Sequence, residues 1–594
     1  MVIVIVEDNY LHETDGTAVS THRFREELIK RGHTVRIIAI GVKGKYMYSL
    51  KEKYVPIATP VASRNNMHFA RFDKKIVTEA FTGADLVHLI FPWQVHGKCC
   101  KLAKKMGIPV SAAFHCQPEN VTYNMMIKLL GVANTFLYFL FRTWLYRNIE
   151  NIHCPSQFIA NELKKHKYRA RLHVISNGIV DVFKPPREPV VRTDDKINVL
   201  MIGRLAEEKQ QDLIIKAVKH SKYRDRIQLY FAGRGPMYKR YLRMSKGLPN
   251  PPVFDFFPQD KLLDLIYRTD VYIHASDAEV EGISCIEAFS CGKVPVISDS
   301  VKSATAQFAL DERSLFKKGK YLDLRDKMEY WIEHPEERER MGKEYAKLGE
   351  LYNINHSIKK LEKLFDATIK DFKTKQMIQE NKELRKFNNR LLRSNHVKEF
   401  FCRVFYFCIA MPILILINRC FFGLKIQNKK NLKKIKGTGA VAICNHVHQM
   451  DCTICAVAFT NRKLMFVSQP SNFSLAIAGL FVDILGSVPT PSTPKEIQSF
   501  MYTLSKHLRN RRVVLFYPEG ERVNYATGLR SFQRGPFYLA IDAQVPVLPM
   551  KIIYRPPDGL LKHFKKNPCL TLVIGDPIYP NSLLLNNDAE ADIK

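Results

Sequence analysis

The sequence predicts an α/β protein of three or more domains built on parallel sheets. Its 594 residues exceed the roughly 100–200 residues of one ordinary domain. Short apolar segments alternate with longer helical patterns, which is typical of parallel strands joined by crossover helices. Apolar residues make up 46% and charged residues 25% of the chain, so it can bury several large cores and global disorder is excluded.

The first domain is predicted over residues 1–185. The opening "MVIVIVED" is interpreted as a buried strand, because it lacks the basic lead of a secretory signal and Glu7 and Asp8 soon follow. The protein is therefore expected in the cytoplasm or on the cytoplasmic face of a membrane. The further strand candidates are "HTVRIIAI", "DLVHLI", "PVSAAFH", "NIHCPS" and "LHVISN".

The second domain is predicted over residues 186–370. Its strand candidates are "INVLMIG", "IQLYFAG", "DVYIHAS" and "KVPVIS", and a proline-rich polar stretch, "KPPREPVVRTDDK", precedes them. Two doubly wound domains with a cleft between them are the simplest architecture for residues 1–370. Residues 371–400 are strongly charged and predict a helical linker or a solvated arm.

A third domain is predicted over residues 401–594, beginning with an apolar helix. Residues 404–417 are apolar and include Pro412, whereas a helix needs about 20 residues to cross a bilayer. An interfacial or re-entrant membrane-docking helix is favoured, and a buried core helix is the alternative. Residues 125–148, rich in aromatic and basic side chains, leave the same choice between a membrane surface and core packing.

The formal net charge of +33 favours a negatively charged binding partner. Nucleic acid, an anionic membrane surface and small phosphorylated substrates would each suit it, and a merely basic surface is the alternative. No nucleic-acid-binding motif is present, so a membrane surface is favoured. The 13 scattered cysteines indicate free thiols in a reducing compartment, and the Cys452–Cys455 pair is interpreted as core packing.

Polar residues with the chemistry of a sugar-nucleotide site recur in the first two domains. Gly16 and Thr17 lie where a helix is predicted to begin, and exposed N–H groups at a helix start bind phosphate. Arg204 and Lys209 near the next such start could hold a diphosphate. Downstream, the carboxylates of Glu279 and Glu287 could accept hydrogen bonds from sugar hydroxyls, and Gly282 lies between them in a loop-to-helix transition.

These motifs resemble the family 4 retaining glycosyltransferases of GT-B fold, in particular those that glycosylate membrane lipids. The resemblance rests on "DGTAVSTHRFREELIKRGHTV", "NGIVDVFKP", "IGRLAEEK" and the E-x7-E stretch. It implies that the leaving diphosphate takes the acceptor proton and that no metal is required. The implied roles are donor-sugar contact for Glu279 and His115, ribose contact for Glu287, diphosphate binding for Arg204 and Lys209, and donor-side cleft positions for Gly16 and Gly282.

His115 has an ordinary alternative, a half-buried strand-end histidine whose ring is hydrogen-bonded by the backbone.

A second candidate pair, His446 and Asp451, lies far along the chain. Side chains five positions apart do not share a helix face, so the two can meet only across a turn between "VAIC" and "DCTICAVAFT". Taken alone, Asp451 could be a helix N-cap and His446 a loop histidine.

Residues 400–580 resemble the glycerophosphate and lysophosphatidate acyltransferase family, through "NHVHQMD", "YPEGER" and "VPVLP". The resemblance implies that His446 is a general base, oriented by Asp451, for attack of a hydroxyl on an acyl thioester. It also implies acceptor binding by Glu519, Gly520 and Arg522. The region "LGSVPTPST" lacks the family's usual arginine and Glu521 replaces a usual threonine, so lysophosphatidate as acceptor is in doubt.

The sequence therefore predicts a bifunctional membrane-surface enzyme. One half would move a hexose from a UDP- or GDP-sugar to a diacylglycerol-, ceramide- or phosphatidylinositol-like lipid, and the other an acyl group from acyl-CoA or acyl carrier protein to a lipid hydroxyl. No bound cofactor, metal or nucleic acid is expected. The alternatives are an active glycosyltransferase anchored by a degenerate acyltransferase domain, and a lipid-binding scaffold without activity.

Overall fold

The computed structural model describes the chain except residues 13–15, 57, 64–66, 125–129, 189, 191–194, 394–395, 474–475, 527, 559–561, 563–564, 566 and 581–594. The described residues form two compact units, 1–369 and 370–594. The boundary falls within a helix that runs over Ile354–Glu380. Each unit is built on parallel strands, as the alternating pattern of the sequence predicts.

The first sheet follows the opening apolar strand. Its strands are β1 Val2–Val6, β2 Thr34–Ile40, β3 Met47–Leu50, β4 Leu86–Leu89, β5 Val110–Ala113, β6 Asn151–Cys154 and β7 Arg171–Val174. All are parallel, in the order β3-β2-β1-β4-β5-β6-β7. The helices are α1 Gly16–Lys30, α2 Ala58–Ser63, α3 Lys74–Phe81, α4 Gln94–Lys105, α5 Pro118–Asn124, α6 Leu130–Trp144 and α7 Gln157–Lys165.

The second sheet has six parallel strands. They are β8 Ile197–Ile202, β9 Ile227–Ala232, β10 Val253–Asp255, β11 Val271–His274, β12 Pro295–Ser298 and β13 Leu315–Phe316, in the order β10-β9-β8-β11-β12-β13. The helices are α8 Gln211–Lys219, α9 Tyr238–Met244, α10 Gln259–Tyr267, α11 Ile283–Ser290, α12 Tyr321–Glu333, α13 Pro335–Glu350 and α14 Ile354–Glu380. The edge strands β3, β10 and β13 have two to four residues, too few to show a period in the sequence.

The second unit contains a mixed seven-stranded sheet. Its strands are β14 Lys425–Gln427, β15 Ala440–Cys444, β16 Leu464–Ser468, β17 Ser487–Pro489, β18 Val513–Phe516, β19 Val547–Arg555 and β20 Cys569–Ile574, in the order β14-β20-β19-β15-β18-β16-β17. Only the β19–β20 pair is antiparallel among these described strands. The helices are α15 Lys382–Leu392, α16 His396–Phe405, α17 Met411–Cys420, α18 Asp451–Ala458, α19 Ala476–Leu485, α20 Pro494–Arg509 and α21 Gly535–Ala543.

The predicted linker 371–400 is helical and partly packed against the second unit. Leu384 and Leu391 of α15 are buried, and Asn388 accepts a 2.5 Å hydrogen bond from Thr503 of α20. The packed face excludes a wholly solvated arm. α15 therefore belongs to the core of the second unit.

The predicted apolar helix is longer than its apolar run. α16 and α17 are joined by a π-helical turn, Tyr406–Ala410, and together they give a continuous helix over Glu399–Cys420. Pro412 has no N–H to donate to the preceding turn, and the π-turn accommodates that loss. Few residues of this helix are buried, among them Tyr406 and Met411 in the core of the second unit, so it is not a fully buried core helix. Its length and composition are sufficient to cross a membrane. These two properties alone are weak evidence that it does so.

Helix α6, which lies in the aromatic segment 125–148, has two different faces. Tyr138 and Phe141 are buried in the first core, whereas Val132, Phe136 and Trp144 are exposed. Residues 125–129 lie outside the described part of the chain. The segment therefore combines core packing with an exposed apolar stripe, and its contact with a membrane surface stays a prediction.

Loops after three strands of the first sheet contact the second domain. Gln117, after β5, donates to the Lys302 carbonyl at 2.9 Å, and Ser156, after β6, donates to the Val280 carbonyl at 2.6 Å. After β7, the Asn177 N–H donates to Oε2 of Glu281 at 2.9 Å. Glu281 is buried, and burial raises its pKa to about 7 against the lowering effect of nearby hydrogen bonds.

Replacing Glu281 with glutamine should remove a pH-dependent cost of folding. Because the folded-state pKa exceeds the usual 4.5, the unfolded chain ionises first, and stability falls between pH 4.5 and about 7 by up to about 3 kcal/mol. We expect Glu281→Gln to match the wild type below pH 4.5 and to unfold at higher urea at pH 8, followed by circular dichroism. The control Glu344→Gln, on an exposed helix, should behave as wild type. Equal midpoints of Glu281→Gln and wild type at every pH would contradict the assignment.

Candidate active sites

The polar residues of the first predicted site gather at the carboxyl ends of the two sheets of the first unit. His115 follows β5, Lys209 follows β8 and Glu279 follows β11. Gly16 is the first residue of α1, and a Cβ placed on it would lie 3.9 Å from Cδ1 of Ile283, the first residue of α11. Ligands of open α/β sheets bind at this edge, so the structure brings the predicted residues to a suitable cleft.

Glu279 is buried and held by two basic side chains. Its Oε1 accepts hydrogen bonds from Lys209 Nζ and, at 3.1 Å, from His274 Nε2. Burial raises the pKa of this carboxyl, but the charge of Lys209 and the bond from His274 lower it further, well below its usual range. Glu279 is therefore ionised, with a cation already beside it. His274 was not singled out from the sequence, where it reads as the last residue of a buried strand.

Glu287 is paired across the cleft. It lies on α11, and its Oε1 accepts a 2.8 Å hydrogen bond from Nη2 of Arg23 on α1. Burial raises the pKa of Glu287, and Arg23 opposes the rise. Sequence reasoning missed Arg23, because 264 residues separate it from its partner.

Arg204 and His115, two further predicted residues of this cleft, differ in their partners. Arg204 donates to Glu208 at 2.6 Å, so it is ion-paired on its own loop. The His115 ring lies edge-on to His153, with 5.1 Å between ring centroids, and no described residue hydrogen-bonds to it. Burial, followed by His153 and His88, lowers the pKa of His115 well below its usual value, so its imidazole is neutral. Among the described residues, no backbone group hydrogen-bonds to the His115 ring, so the structure does not show the alternative of a histidine satisfied by the backbone.

Gly282 caps α11 in a conformation that only glycine adopts easily. Its φ is +90°, and a Cβ there would lie 2.3 Å from Cγ2 of the buried Thr305. The loop between Glu279 and Glu287 therefore closes tightly on its neighbour. A side chain at position 282 would displace this loop.

We expect Gly282→Ala to impair sugar transfer while sparing acyl transfer. The methyl group must move Thr305 or the loop, and a misplacement of about 1 Å can cost on the order of 100-fold in rate. The matched control is Gly247→Ala, because Gly247 has a similar φ of +86° but no atom within 4 Å of its added Cβ. Adding Thr305→Ser to Gly282→Ala removes the clashing methyl and should restore part of the rate. Equal rates in the two single variants would contradict the steric argument.

The His446–Asp451 pair of the second unit meets as predicted. Nδ1 of His446 donates to Oδ2 of Asp451 at 2.8 Å, and the carboxylate is fully buried. The same oxygen accepts the backbone N–H groups of Val447 at 2.8 Å and His448 at 3.0 Å. Asp451 is the first residue of α18, but its carboxylate turns back to the preceding loop, so the simple N-cap alternative is wrong.

A second contact fixes the His446 ring, and part of the ring is accessible to solvent. It stacks on Tyr517 with 4.3 Å between ring centroids, and it is 25% exposed. Among the described residues, none hydrogen-bonds to its Nε2. With Nδ1 donating to a carboxylate, the neutral ring leaves Nε2 as a proton acceptor, which is the geometry of a general base.

Two long-range contacts hold the loop that carries His446. The Asn445 side chain exchanges hydrogen bonds of 2.9 and 2.7 Å with the backbone of Ile552 on β19. Oε2 of Glu519 accepts the His446 N–H at 3.1 Å and Nη2 of Arg530 at 2.7 Å. Glu519 is thus buried in an internal ion pair, and Arg530 is a further site residue that the sequence did not reveal.

The remaining residues predicted to bind the acyl acceptor lie on the turn after Glu519. Gly520 has a φ of +77°, which lets the chain reverse there, and Arg522 is exposed. Arg522 is therefore the member of this group with a side chain accessible to a ligand. Elsewhere in the described part of the chain, no group of three or more His, Cys, Asp or Glu side chains is placed to hold a metal ion.

Asp451→Asn should reduce acyl transfer by about 1,000-fold or more, because the amide stabilises neither the Nδ1–H tautomer nor the charged ring. Initial rates of acyl transfer from acyl-CoA to extracted lipids provide the measurement. The control Asp576→Asn makes the same chemical change at an exposed carboxylate. A loss below about tenfold in Asp451→Asn would argue against the dyad as the catalytic base.

Three family models match the chain. Residues 14–181 match Glycosyltransferase Family 4, residues 184–348 match Glycosyl transferases group 1, and residues 423–553 match Acyltransferase. Both resemblances seen in the sequence are thereby confirmed. Together with the three sheets, these matches also confirm the predicted fold class, a GT-B pair of Rossmann-like domains followed by an acyltransferase domain.

Two known relatives match part of the chain. Alpha-monoglucosyldiacylglycerol synthase of Streptococcus pneumoniae is 24% identical over 315 residues, covering 50% of this chain and 71% of the relative. The GPI3 subunit of phosphatidylinositol N-acetylglucosaminyltransferase of Saccharomyces cerevisiae is 30% identical over 129 residues, covering 20% of this chain and only 28% of the relative. The solved structure of Anabaena HepE with UDP-glucose shares the fold, with a TM-score of 0.50, 14% identity and coverage of 62% of this chain and 100% of HepE.

Proposed function

We propose that this chain, a transferase that joins a GT-B glycosyltransferase to an acyltransferase domain, carries out two group transfers on membrane lipids. The first unit would transfer a hexose from a nucleotide sugar to a lipid acceptor. The second would transfer an acyl group from a thioester to a lipid hydroxyl. The observation that carries the two-reaction proposal is the assembled His446–Asp451 dyad, in a chain that also has an ionised Glu279 in its first cleft.

Relatives of the first unit support a lipid acceptor. The names of the Streptococcus and yeast relatives specify diacylglycerol-type and phosphatidylinositol lipids, and HepE was solved with UDP-glucose. We infer a nucleotide sugar as donor and a diacylglycerol-, ceramide- or phosphatidylinositol-like lipid as acceptor. The sugar and the base, UDP or GDP, stay open.

The charges in the first cleft suit a departing diphosphate. Lys209 is held beside Glu279, and Arg204 lies on the same loop, so both cations can reach a diphosphate that accepts their N–H groups. Such cations stabilise negative charge as the bond to the sugar breaks. Glu279 and the neutral His115 would contact the donor sugar, and Glu287 the ribose. We expect retention of the anomeric configuration, with the diphosphate accepting the acceptor's proton.

The dyad of the second unit suits attack on a thioester. Nε2 of His446 would take the proton of a lipid hydroxyl while the hydroxyl oxygen bonds to the acyl carbon. The carbon–sulfur bond breaks, and the proton passes from His446 to the leaving thiolate of CoA or acyl carrier protein. Asp451 stabilises the charged ring between these two steps.

The acyl acceptor is proposed to differ from lysophosphatidate. Glu519, predicted to contact the acceptor, is already bound to Arg530, and Glu521 adds a negative charge beside Arg522. These charges and the missing arginine of "LGSVPTPST" disfavour an acceptor with a phosphate monoester at this edge. A glycolipid or another lysolipid hydroxyl is favoured.

Exposed apolar helices support the proposal that the protein attaches to a membrane surface. α6 exposes Phe136 and Trp144, and the helix over Glu399–Cys420 exposes Ile413 and Leu416. A peripheral or monotopic attachment at the cytoplasmic face is proposed, and the free thiols of all 13 cysteines suit that compartment. The alternative function, an active glycosyltransferase anchored by an inactive acyltransferase domain, is favoured by the missing arginine and disfavoured by the intact dyad.

Single replacements should separate the two activities. We expect Glu279→Gln to lower sugar transfer by on the order of 100-fold or more, and His446→Ala to lower acyl transfer by a similar factor. Each variant should keep the other activity, because the residues lie in different compact units. The measurement is incorporation of labelled sugar from UDP-glucose or GDP-mannose, and of labelled acyl groups from acyl-CoA, into extracted lipids.

The control for both variants is Glu339→Gln, at an exposed surface pair. Sugar transfer without acyl transfer to any tested lipid, in the wild-type chain, would favour the anchor alternative. Loss of both activities in either variant would contradict independent sites.

A further inference from the structure

A group of basic side chains lies at the amino ends of two central strands of the second unit. Lys463 directly precedes β16 and Arg512 directly precedes β18. Arg393, the C-cap of α15, and Arg403 on α16 complete what we call the cation cluster. His446 follows the carboxyl end of β15, which is parallel to β18, so the cation cluster occupies the opposite edge of the sheet. The four residues of β18 span roughly 13 Å.

Two carboxylates face these four cations in the described part of the chain. Oε2 of Glu399 accepts a 2.8 Å hydrogen bond from Nε of Arg393. Its Oε1 lies farther from Arg512 Nη2, at 3.7 Å, and from Arg403 Nε, at 3.8 Å. Asp483 lies 3.6 Å from Nη1 of Arg393. The cation cluster therefore keeps an excess of positive charge.

Because several of these side chains are buried, the excess positive charge of the cation cluster is energetically unfavourable. Lys463 is only 6% exposed, and its Nζ, which carries three donors, gives a 2.8 Å bond to the Ile484 carbonyl. Burial lowers the pKa of Lys463 to about 8, with a further contribution from Arg393 and Arg512. Nη1 of Arg393 is buried and lacks a hydrogen-bond partner among the described residues. An anion with several acceptor oxygens would satisfy these donors and offset the repulsion.

The cation cluster also adjoins an exposed apolar surface. Glu399 lies in the first turn of α16, and the next two residues, Phe400 and Phe401 on the outer face of this helix, are 62% and 65% exposed. Val404 continues this face one turn later. An anion that reaches the cluster with apolar chains attached would contact both surfaces at once.

We propose that the cation cluster binds a phosphate group, presented by an anionic phospholipid whose acyl chains contact Phe400, Phe401 and Val404. Arginine guanidinium groups match phosphate oxygens in pairs, and the amine of Lys463 adds a point charge. This site is separate from the acyl-acceptor position near Arg522, because the two lie at opposite ends of the parallel strands. The bound lipid fixes the start of the apolar helix at the bilayer surface and is not a substrate.

Vesicle binding by the full chain tests the proposal. The variant Arg403→Gln/Arg512→Gln removes two charges of the cation cluster, and the control Lys429→Gln/Lys430→Gln removes two charges from an exposed segment of the same unit. General attraction to an anionic surface weakens equally in both. Co-sedimentation with phosphatidylcholine vesicles containing phosphatidylglycerol should show the cluster variant on the order of tenfold weaker than the control. Equal binding by the two variants overturns the proposal.

Thermal unfolding distinguishes the two sources of phosphate. A ligand that binds the folded chain raises its unfolding midpoint. A rise with soluble short-chain phosphatidylglycerol alone supports a phospholipid site, and an equal rise with inorganic phosphate supports a site for phosphate itself. Neither rise should occur in the cluster variant. Arg403→Gln alone, at a half-exposed position, provides a second variant that keeps the buried cations. Acyl transfer in detergent should persist in all these variants, so failure here leaves the proposed function intact.

Discussion

Buried carboxylates set the geometry of both catalytic regions. An ionised carboxylate inside a protein costs several kcal/mol unless partners satisfy it. In the first cleft the partners come from distant loops or helices, and in the second unit they lie five and 11 residues away along the chain. The four carboxylates are Glu279, Glu287, Asp451 and Glu519, and their partners are Lys209, Arg23, His446 and Arg530. Removing the partner of such a pair leaves a buried carboxylate without that partner, and this couples site geometry to the integrity of the fold.

The sequence predicted the sheets and the motif residues but not these partners. Alternating apolar segments and loop motifs are patterns of residues close together in the chain, and such patterns can be recognised in a single sequence. Arg23 carries no mark that identifies a partner 264 residues away, and Arg530 lies in an irregular loop. The length of the helix over Glu399–Cys420 was also missed, because Pro412 suggested an interruption that the π-turn absorbs. Sequence patterns therefore located the sites, and tertiary contacts determined how charge is distributed in them.

Two histidines illustrate that distribution. His115 is buried near other histidines, which lower its pKa well below the usual value, and no carboxylate among its described neighbours opposes this effect. A ring of that kind stays neutral and suits a hydrogen bond to a sugar hydroxyl. His446 is partly exposed and donates to a fully buried carboxylate, which fixes its Nδ1–H tautomer and leaves Nε2 as the acceptor. Under the proposed function, these two environments would make His115 a binding group and His446 a base.

The proposed membrane attachment would give the fusion of the two units a physical advantage. Each unit has its own exposed apolar helix with cations beside it, since Arg142 stacks on Phe139 in α6 and the cation cluster adjoins Phe400. A lipid modified by one unit then stays in the same bilayer as the other unit and need not cross water. Confinement to one surface raises the effective concentration of that lipid at the second site without any channel between the units. The net charge of +33 would strengthen the proposed attachment at an anionic surface.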